Sequence, residues 1–163
     1  MRISVVTFPG SNCDHDAYRV CQSRSHQTKL IWHKDTNLEN PDLVILPGGF
    51  SYGDYLRCGA LARFSPIVKE VIAFARKGGL LLGICNGFQI LTECGLLPGT
   101  LLMNASLHFI CQHQFVRVET AASPFTTGIG KGRILDLPIA HKEGNFYIES
   151  DGLKQLQDND QIL

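Results

Sequence analysis

Cys85 is the residue whose surroundings most clearly call for a chemical explanation. It stands in Gly83-Ile84-Cys85-Asn86-Gly87, after the apolar run Leu80–Ile84 and before a helical stretch from Asn86 to Cys94. A nucleophile at an abrupt strand-to-helix turn, with small residues close by, is a nucleophile elbow. Gly83 and Gly87, two positions either side, let the backbone turn tightly enough to lift the thiol into a cleft. The sulfur then lies at the amino end of the following helix, whose partial positive charge is expected to lower the thiol pKa. The Asn86 N–H points the same way and can hold the oxyanion of a tetrahedral intermediate. The competing reading is a buried structural cysteine between glycines; the strand–turn–helix context argues against it.

Gly48-Gly49-Phe50 follows a second apolar run, Leu43–Leu46. Its glycines allow close backbone approach, so the N–H of Gly49 or Phe50 is the candidate for a second oxyanion donor. The alternative is a tight turn leaving a strand. Neither GxxxxGK[ST] nor GxGxxG occurs, so this is not a phosphate loop.

Other polar clusters read more plainly. His141-Lys142-Glu143 is the single His-x-Glu. In an extended segment residues i and i+2 share a face, so Glu143 could not easily brace an imidazole held elsewhere. A loop histidine shaping the surface or a partner contact is the favoured reading of His141. His108 and His113 flank Cys111, but on a strand they would face opposite sides, and no carboxylate accompanies them in the sequence. No metal site is therefore expected. Asp14, His15 and Asp16 read as a helix start favoured by the dipole. Tyr52, Asp54 and Arg57 read as solvated residues after a turn.

These groups need a scaffold. Ile3–Phe8, Leu30–Trp32, Leu43–Leu46 and Leu80–Ile84 read as strands. Between them lie a helix from Asp14 to Arg24, with Ala17, Val20 and Cys21 on one face, and a second helix opening at Ser65-Pro66. Ser65 is its N-cap, Pro66 its first position, and Gly78-Gly79 its end. Ile67, Val68, Val71, Ile72 and Ala75 form its apolar stripe. Strands apolar on both faces, alternating with helices, predict an α/β fold with a mostly parallel, flavodoxin-like sheet flanked by helices. Ligands collect at the carboxyl ends of such strands, where the loops Pro9–Cys13, Pro47–Asp54 and Ile84–Gly87 all open. After Gly99 the segments shorten, among them Phe115–Val118 and Arg133–Leu135, and predict a small antiparallel extension of a single domain spanning 1–163. A short helix starts near Ser150. Gln161-Ile162-Leu163 reads as the opening of another strand, so the chain is expected to be truncated at its C-terminus.

Composition narrows the class. Of 163 residues 44% are apolar and 18% charged, with fifteen basic balancing fifteen acidic. That describes an ordinary globule with no electrostatic pull toward nucleic acid or an anionic membrane. No apolar run approaches the roughly 20 residues of a membrane span. The six cysteines include no CxxC pair and read as free thiols in a reducing cytoplasm.

Gly83-Ile84-Cys85-Asn86-Gly87-Phe88-Gln89 resembles the signature of class I (triad-type) glutamine amidotransferases. Pro9–Asp14, Pro47–Arg57, Asn104-Ala105-Ser106 and Pro138–Asn145 resemble the branch of that family serving de novo purine biosynthesis. The similarity covers nearly the whole chain. It implies hydrolysis of L-glutamine to glutamate and ammonia. The ammonia would pass to a synthetase that converts formylglycinamide ribonucleotide to formylglycinamidine ribonucleotide. The implied partners are a large synthetase subunit, which uses ATP and Mg, and a small bridging subunit; no cofactor is implied for this chain. By motif match Cys85 is the nucleophile, Gly49 and Asn86 are oxyanion donors, and Phe50, Gln89, Asn104, Ser106 and Phe109 hold the substrate. The family's base is a His-x-Glu element near the end of a longer chain, and His141-Lys142-Glu143 matches a different family element. These 163 residues are therefore expected to turn over glutamine poorly. Two other readings stay open: a stand-alone cysteine hydrolase of the DJ-1-like kind, and a non-catalytic docking subunit.

Overall fold

Val5 and Val6 are adjacent and both fully buried. Neighbours on a strand point to opposite faces, so protein must cover both sides of their sheet. The computed structural model, which describes residues 1–163, shows how this is done. Strands β1 (Arg2–Thr7), β2 (Gln27–Trp32), β3 (Leu43–Leu46) and β4 (Leu80–Gly83) form a parallel sheet in the order β2-β1-β3-β4. Helix α1 (Asp14–Ser23) covers one face, where Ile3, Val5 and Ile45 pack with its Ala17 and Cys21. Helices α2 (Pro66–Arg76) and α3 (Asn86–Glu93) cover the other, where Val6, Val44 and Leu46 meet Ile67, Val68, Val71, Ile90 and Leu91. The α/β class expected from the sequence is the class observed.

Three local expectations change. Val20 is exposed rather than on the buried face of α1. That helix meets the sheet along its Ala17–Cys21 edge and buries no residue completely. Strand β2 starts at Gln27, three residues before its apolar run. It pairs only with β1, so an edge position lets Gln27 and Lys29 stay in solvent. Ser65 does sit at the N-cap of α2 with an extended backbone, but its hydroxyl makes no capping bond.

The chain divides into two units, Met1–Pro98 and Gly99–Leu163, where one domain is the sequence expectation. In the second unit β5 (Thr100–Leu102) pairs antiparallel with β8 (Asn145–Tyr147), and β6 (Ile110–Arg117) with β7 (Ile134–His141). The two short runs read from the sequence are facing ends of that longer ladder: Val116 pairs with Leu135 and Arg117 with Ile134. Helix α4 spans Ser150–Asp158. Gln161–Leu163, read as a strand opening, is irregular; the Gln161 N–H turns back to the Leu156 carbonyl.

Candidate functional site

The elbow is strained in the way the sequence demands. Cys85 adopts φ 51° and ψ −108°, a region that costs an L-residue about 1–3 kcal/mol. The Ile84 N–H bonded to the Leu46 carbonyl at 2.9 Å and the Gly87 N–H bonded to the Ile84 carbonyl at 2.8 Å hold it there. A Cβ on Gly87 would collide with that same Leu46 carbonyl. The turn therefore sits directly on the end of β3, and only glycine fits.

The electrostatics of the thiol depart from the expectation of a lowered pKa. The residue is accessible as a whole, yet surrounding protein withdraws water from the sulfur, and this desolvation is the largest influence, raising the thiol above its ordinary 9.0. The Asn86 N–H donates to the sulfur and pulls the other way, while Cys13 and Asp54 push the value up further. One N–H at the helix end does not outweigh desolvation and two acidic neighbours. At neutral pH Cys85 rests as a thiol, and attack by it requires a base.

Gly48 fits between two cysteines. A Cβ there would lie 3.5 Å from Cys85 Cβ and 3.6 Å from Cys13 Sγ. Gly49 has φ 143°, and its Cβ would stand 2.7 Å from the Asn12 nitrogen. The Pro9–Cys13 loop is stitched to this segment: the Cys13 N–H donates to the Gly48 carbonyl at 3.2 Å and the Phe50 N–H to the Gly10 carbonyl at 2.9 Å. Of the two candidate donors, Phe50 is thus engaged, and no backbone acceptor takes the Gly49 N–H.

Asn86 is 1% exposed and ties the elbow to the loop after Gly49. Its Oδ1 accepts from the Ser51 N–H at 3.2 Å; its Nδ2 donates to Gln89 Oε1 at 3.0 Å and reaches Asp54 Oδ1 at 3.4 Å. The three residues read as solvated are all engaged. Arg57 forks onto Glu93 of α3, with its Nη2 2.9 Å from Oε2. Asp54 faces Asn86, and the Tyr52 hydroxyl lies 2.8 Å from both His33 Nδ1 and Ser65 Oγ. Sequence reasoning missed Cys13 and His33; Cys13 stands at the N-cap of α1 and His33 just past β2, and those positions are the local signals that could have found them.

Gly49, Phe50, Cys85, Asn86 and Gln89 belong to the first unit; Asn104, Ser106 and Phe109 belong to the second. Phe50 and Phe109 are exposed, and Gln89 is buried against Asn86. Asn104 is buried too. Its Nδ2 donates to the His108 and His141 carbonyls at 2.9 and 3.0 Å. Its Oδ1 accepts from the Gly144 N–H and meets His141 Nδ1, each at 3.0 Å. All four hydrogen-bonding places of this side chain are occupied. Ser106 Oγ accepts from the His108 N–H at 3.3 Å. His141 ends β7 with its ring over Gly144. His113, which has no carboxylate beside it in sequence, meets Asp136 at 2.9 Å across the β6–β7 ladder.

The profile of the CobB/CobQ-like glutamine amidotransferase domain matches residues 1–163. Phosphoribosylformylglycinamidine synthase subunit PurQ of Salinibacter ruber is 53% identical, over 99% of this chain and 69% of that protein. The subunit of the same name from Synechococcus sp. (strain JA-2-3B'a(2-13)) is 56% identical, over 100% of this chain and 73% of that protein. Among solved structures, PurLQS from Thermotoga maritima superposes with a TM-score of 0.87 at 46% identity, covering 91% of this chain and 70% of that one. A glutamine amidotransferase from Thermotoga maritima, 18% identical with a TM-score of 0.61 over 92% of this chain and 64% of that one, shares the fold.

Proposed function

The chain belongs to the CobB/CobQ-like glutamine amidotransferase family, and on that premise we propose that it is the glutaminase component of a phosphoribosylformylglycinamidine synthase. It hydrolyses glutamine to glutamate and ammonia. The ammonia goes to a synthetase that converts formylglycinamide ribonucleotide to formylglycinamidine ribonucleotide in purine biosynthesis. The observation that carries this reading is the left-handed Cys85 with an N–H on its sulfur, inside a chain similar throughout to proteins of that name.

The chemistry follows from the elbow. Cys85 Sγ attacks the side-chain carbonyl carbon of glutamine as its proton leaves for a base. The carbonyl oxygen becomes an oxyanion between the N–H groups of Gly49 and Asn86. Collapse breaks the C–N bond, the nitrogen takes up a proton, and ammonia departs from a thioester on Cys85. Water then attacks the thioester, which releases glutamate and restores the thiol. Cys13 and Asp54 raise the thiol pKa, so attack needs a base; the family resemblance implies that this base is the imidazole of a His-x-Glu element.

Phe50 and Phe109 are accessible enough to contact substrate directly. Gln89, Asn104 and Ser106 are carried over by motif match as substrate-binding positions, acting through the segments they brace. The partners are a large ATP- and Mg-using synthetase subunit and a small bridging subunit. The proposed compartment is the cytoplasm, in keeping with the likeness to phosphoribosylformylglycinamidine synthase subunits.

The test is glutamine-dependent synthesis. The chain joined to a segment carrying the family's His-x-Glu element, mixed with the synthetase subunits, ATP and formylglycinamide ribonucleotide, should make product from glutamine, and a glutamine-like diazoketone should stop it by alkylating Cys85. Product formed from free ammonia but never from glutamine would sink the reading. So would peptide mapping that finds Cys13 or Cys58 alkylated and Cys85 untouched.

A further inference from the structure

Tyr52 has φ 55° without being glycine, and Gly53 and Asp54 continue left-handed at 68° and 54°. A residue with a side chain holds that conformation only where its surroundings over-determine it. Here they do. The Tyr52 N–H donates to the Pro9 carbonyl. Its hydroxyl stands 2.8 Å from His33 Nδ1 and 2.8 Å from Ser65 Oγ, which are themselves 3.2 Å apart. The Tyr52 and His33 rings meet edge to face at 5.6 Å. His33 and Ser65 are 5% and 3% exposed, so neither has ready access to water as an alternative partner. Ser65 occupies the N-cap of α2, yet its hydroxyl caps nothing. The oxygen that would ordinarily take a helix N–H is directed to Tyr52 instead.

One arrangement of protons satisfies the two 2.8 Å contacts and leaves the 3.2 Å Ser65–His33 contact without a proton. Tyr52 O–H donates to His33 Nδ1, Ser65 O–H donates to the Tyr52 oxygen, and His33 carries its proton on Nε2. The cluster links the residue after β2, the first turn of α2, and the turn that follows Gly49-Phe50. On its other side the same turn is held to the elbow, by the Ser51 N–H on Asn86 Oδ1 and by Asn86 Nδ2 near Asp54. The Gly53 N–H closes the turn back onto the Phe50 carbonyl at 2.8 Å.

We infer that Tyr52 is a positioning residue for glutamine hydrolysis: its hydroxyl, gripped by His33 and Ser65, fixes the left-handed turn that holds the Gly49 N–H and, through the Asn86 side chain, the Asn86 N–H at Cys85. Tyr52 need not touch substrate to do this. The inference rests on the glutaminase reading above, and the experiment separates the two.

Glutamine hydrolysis is measured in the complex with the synthetase subunits, for wild type and Tyr52→Phe, alongside the melting temperature of each. The ring and its packing survive this change; only the clamp is lost. The expected result is a kcat lower by about three- to tenfold, the loss one misplaced hydrogen bond produces, with KM within about twofold. Adding Ser65→Ala to Tyr52→Phe should lower kcat little further, because both changes open the same clamp. An unchanged kcat with a lower melting temperature overturns the inference and leaves the glutaminase reading standing, as does a rise in KM alone. If Tyr52→Phe does not fold, Ser65→Ala alone gives the same comparison: a lower kcat supports the clamp and an unchanged one overturns it. A wild-type complex that hydrolyses no glutamine overturns both.

Discussion

Two buried asparagines organise the two units of this chain, and they do opposite work with the same atoms. Around Asn86 the side chain ties a loop to the elbow while the backbone N–H is directed at the Cys85 sulfur. Around Asn104 the side chain closes a knot of two carbonyls, one N–H and one imidazole, and its own N–H goes to the Lys142 carbonyl. Both match family motifs. The first leaves a donor where a reaction can use it; the second leaves none. A residue type at a motif position therefore does not say which of its atoms remain available for chemistry, and a buried amide with every place filled is a structural device.

The largest effect that bears on this contrast is loss of the nucleophile. Cys85→Ala should lower glutaminase activity on the order of 10⁴-fold or more. Circular dichroism and synthetase binding should stay unchanged, since a methyl replaces a small thiol at an accessible position. An active alanine variant would remove the elbow from the mechanism and with it one side of the comparison.

Next come the asparagines themselves. Asn104→Ala deletes four part-buried hydrogen bonds, so it should cost about 3 kcal/mol in urea unfolding of the chain. Asn86→Ala should instead be felt first in rate, by about 10²-fold in kcat, as the donor at the sulfur loses its support. A stable Asn104→Ala chain whose only defect is a raised KM for glutamine would make Asn104 a substrate contact and erase the distinction.

His141 sharpens the same point on a smaller scale. Its ring bonds Asn104 Oδ1, so His141→Ala should cost about 1 kcal/mol of stability and leave kcat in the full complex within a few-fold. Abolished turnover at unchanged stability would identify His141 as the base.

The smallest expected effect is a pH dependence at the loop clamp. Burial, the largest influence, and Lys34 lower the His33 pKa below 6.5, with Asp35 opposing; the Tyr52 and Ser65 hydroxyls are its hydrogen-bonding neighbours. The unfolded chain then binds the proton first. This contribution to stability is complete above pH 6.5, declines as the pH falls from 6.5 to the folded-state value, and is flat below it. Urea midpoints between pH 7 and 5 should show that decline, and His33→Gln should remove it. A midpoint that rises on acidification would mean the folded imidazole prefers its charged form.

Periodicity alone established the α/β class, the strands β1, β3 and β4, and the stripe of α2, because burial on one or both faces leaves a direct trace in residue order. The elbow was equally legible: Gly83 and Gly87 must be glycine for the chain to turn that sharply on either side of Cys85. What only the tertiary structure decided lies between segments distant in sequence. The pairing of Arg57 with Glu93, the clamp of Tyr52 by His33 and Ser65, and the bonds of Asn104 to His141 and Gly144 each join residues 13 to 40 positions apart. The direction of the Cys85 pKa was of the same kind. A helix terminus can be read from sequence, but the desolvation and the neighbouring Cys13 and Asp54 that outweigh it depend on how three loops meet at the ends of the strands.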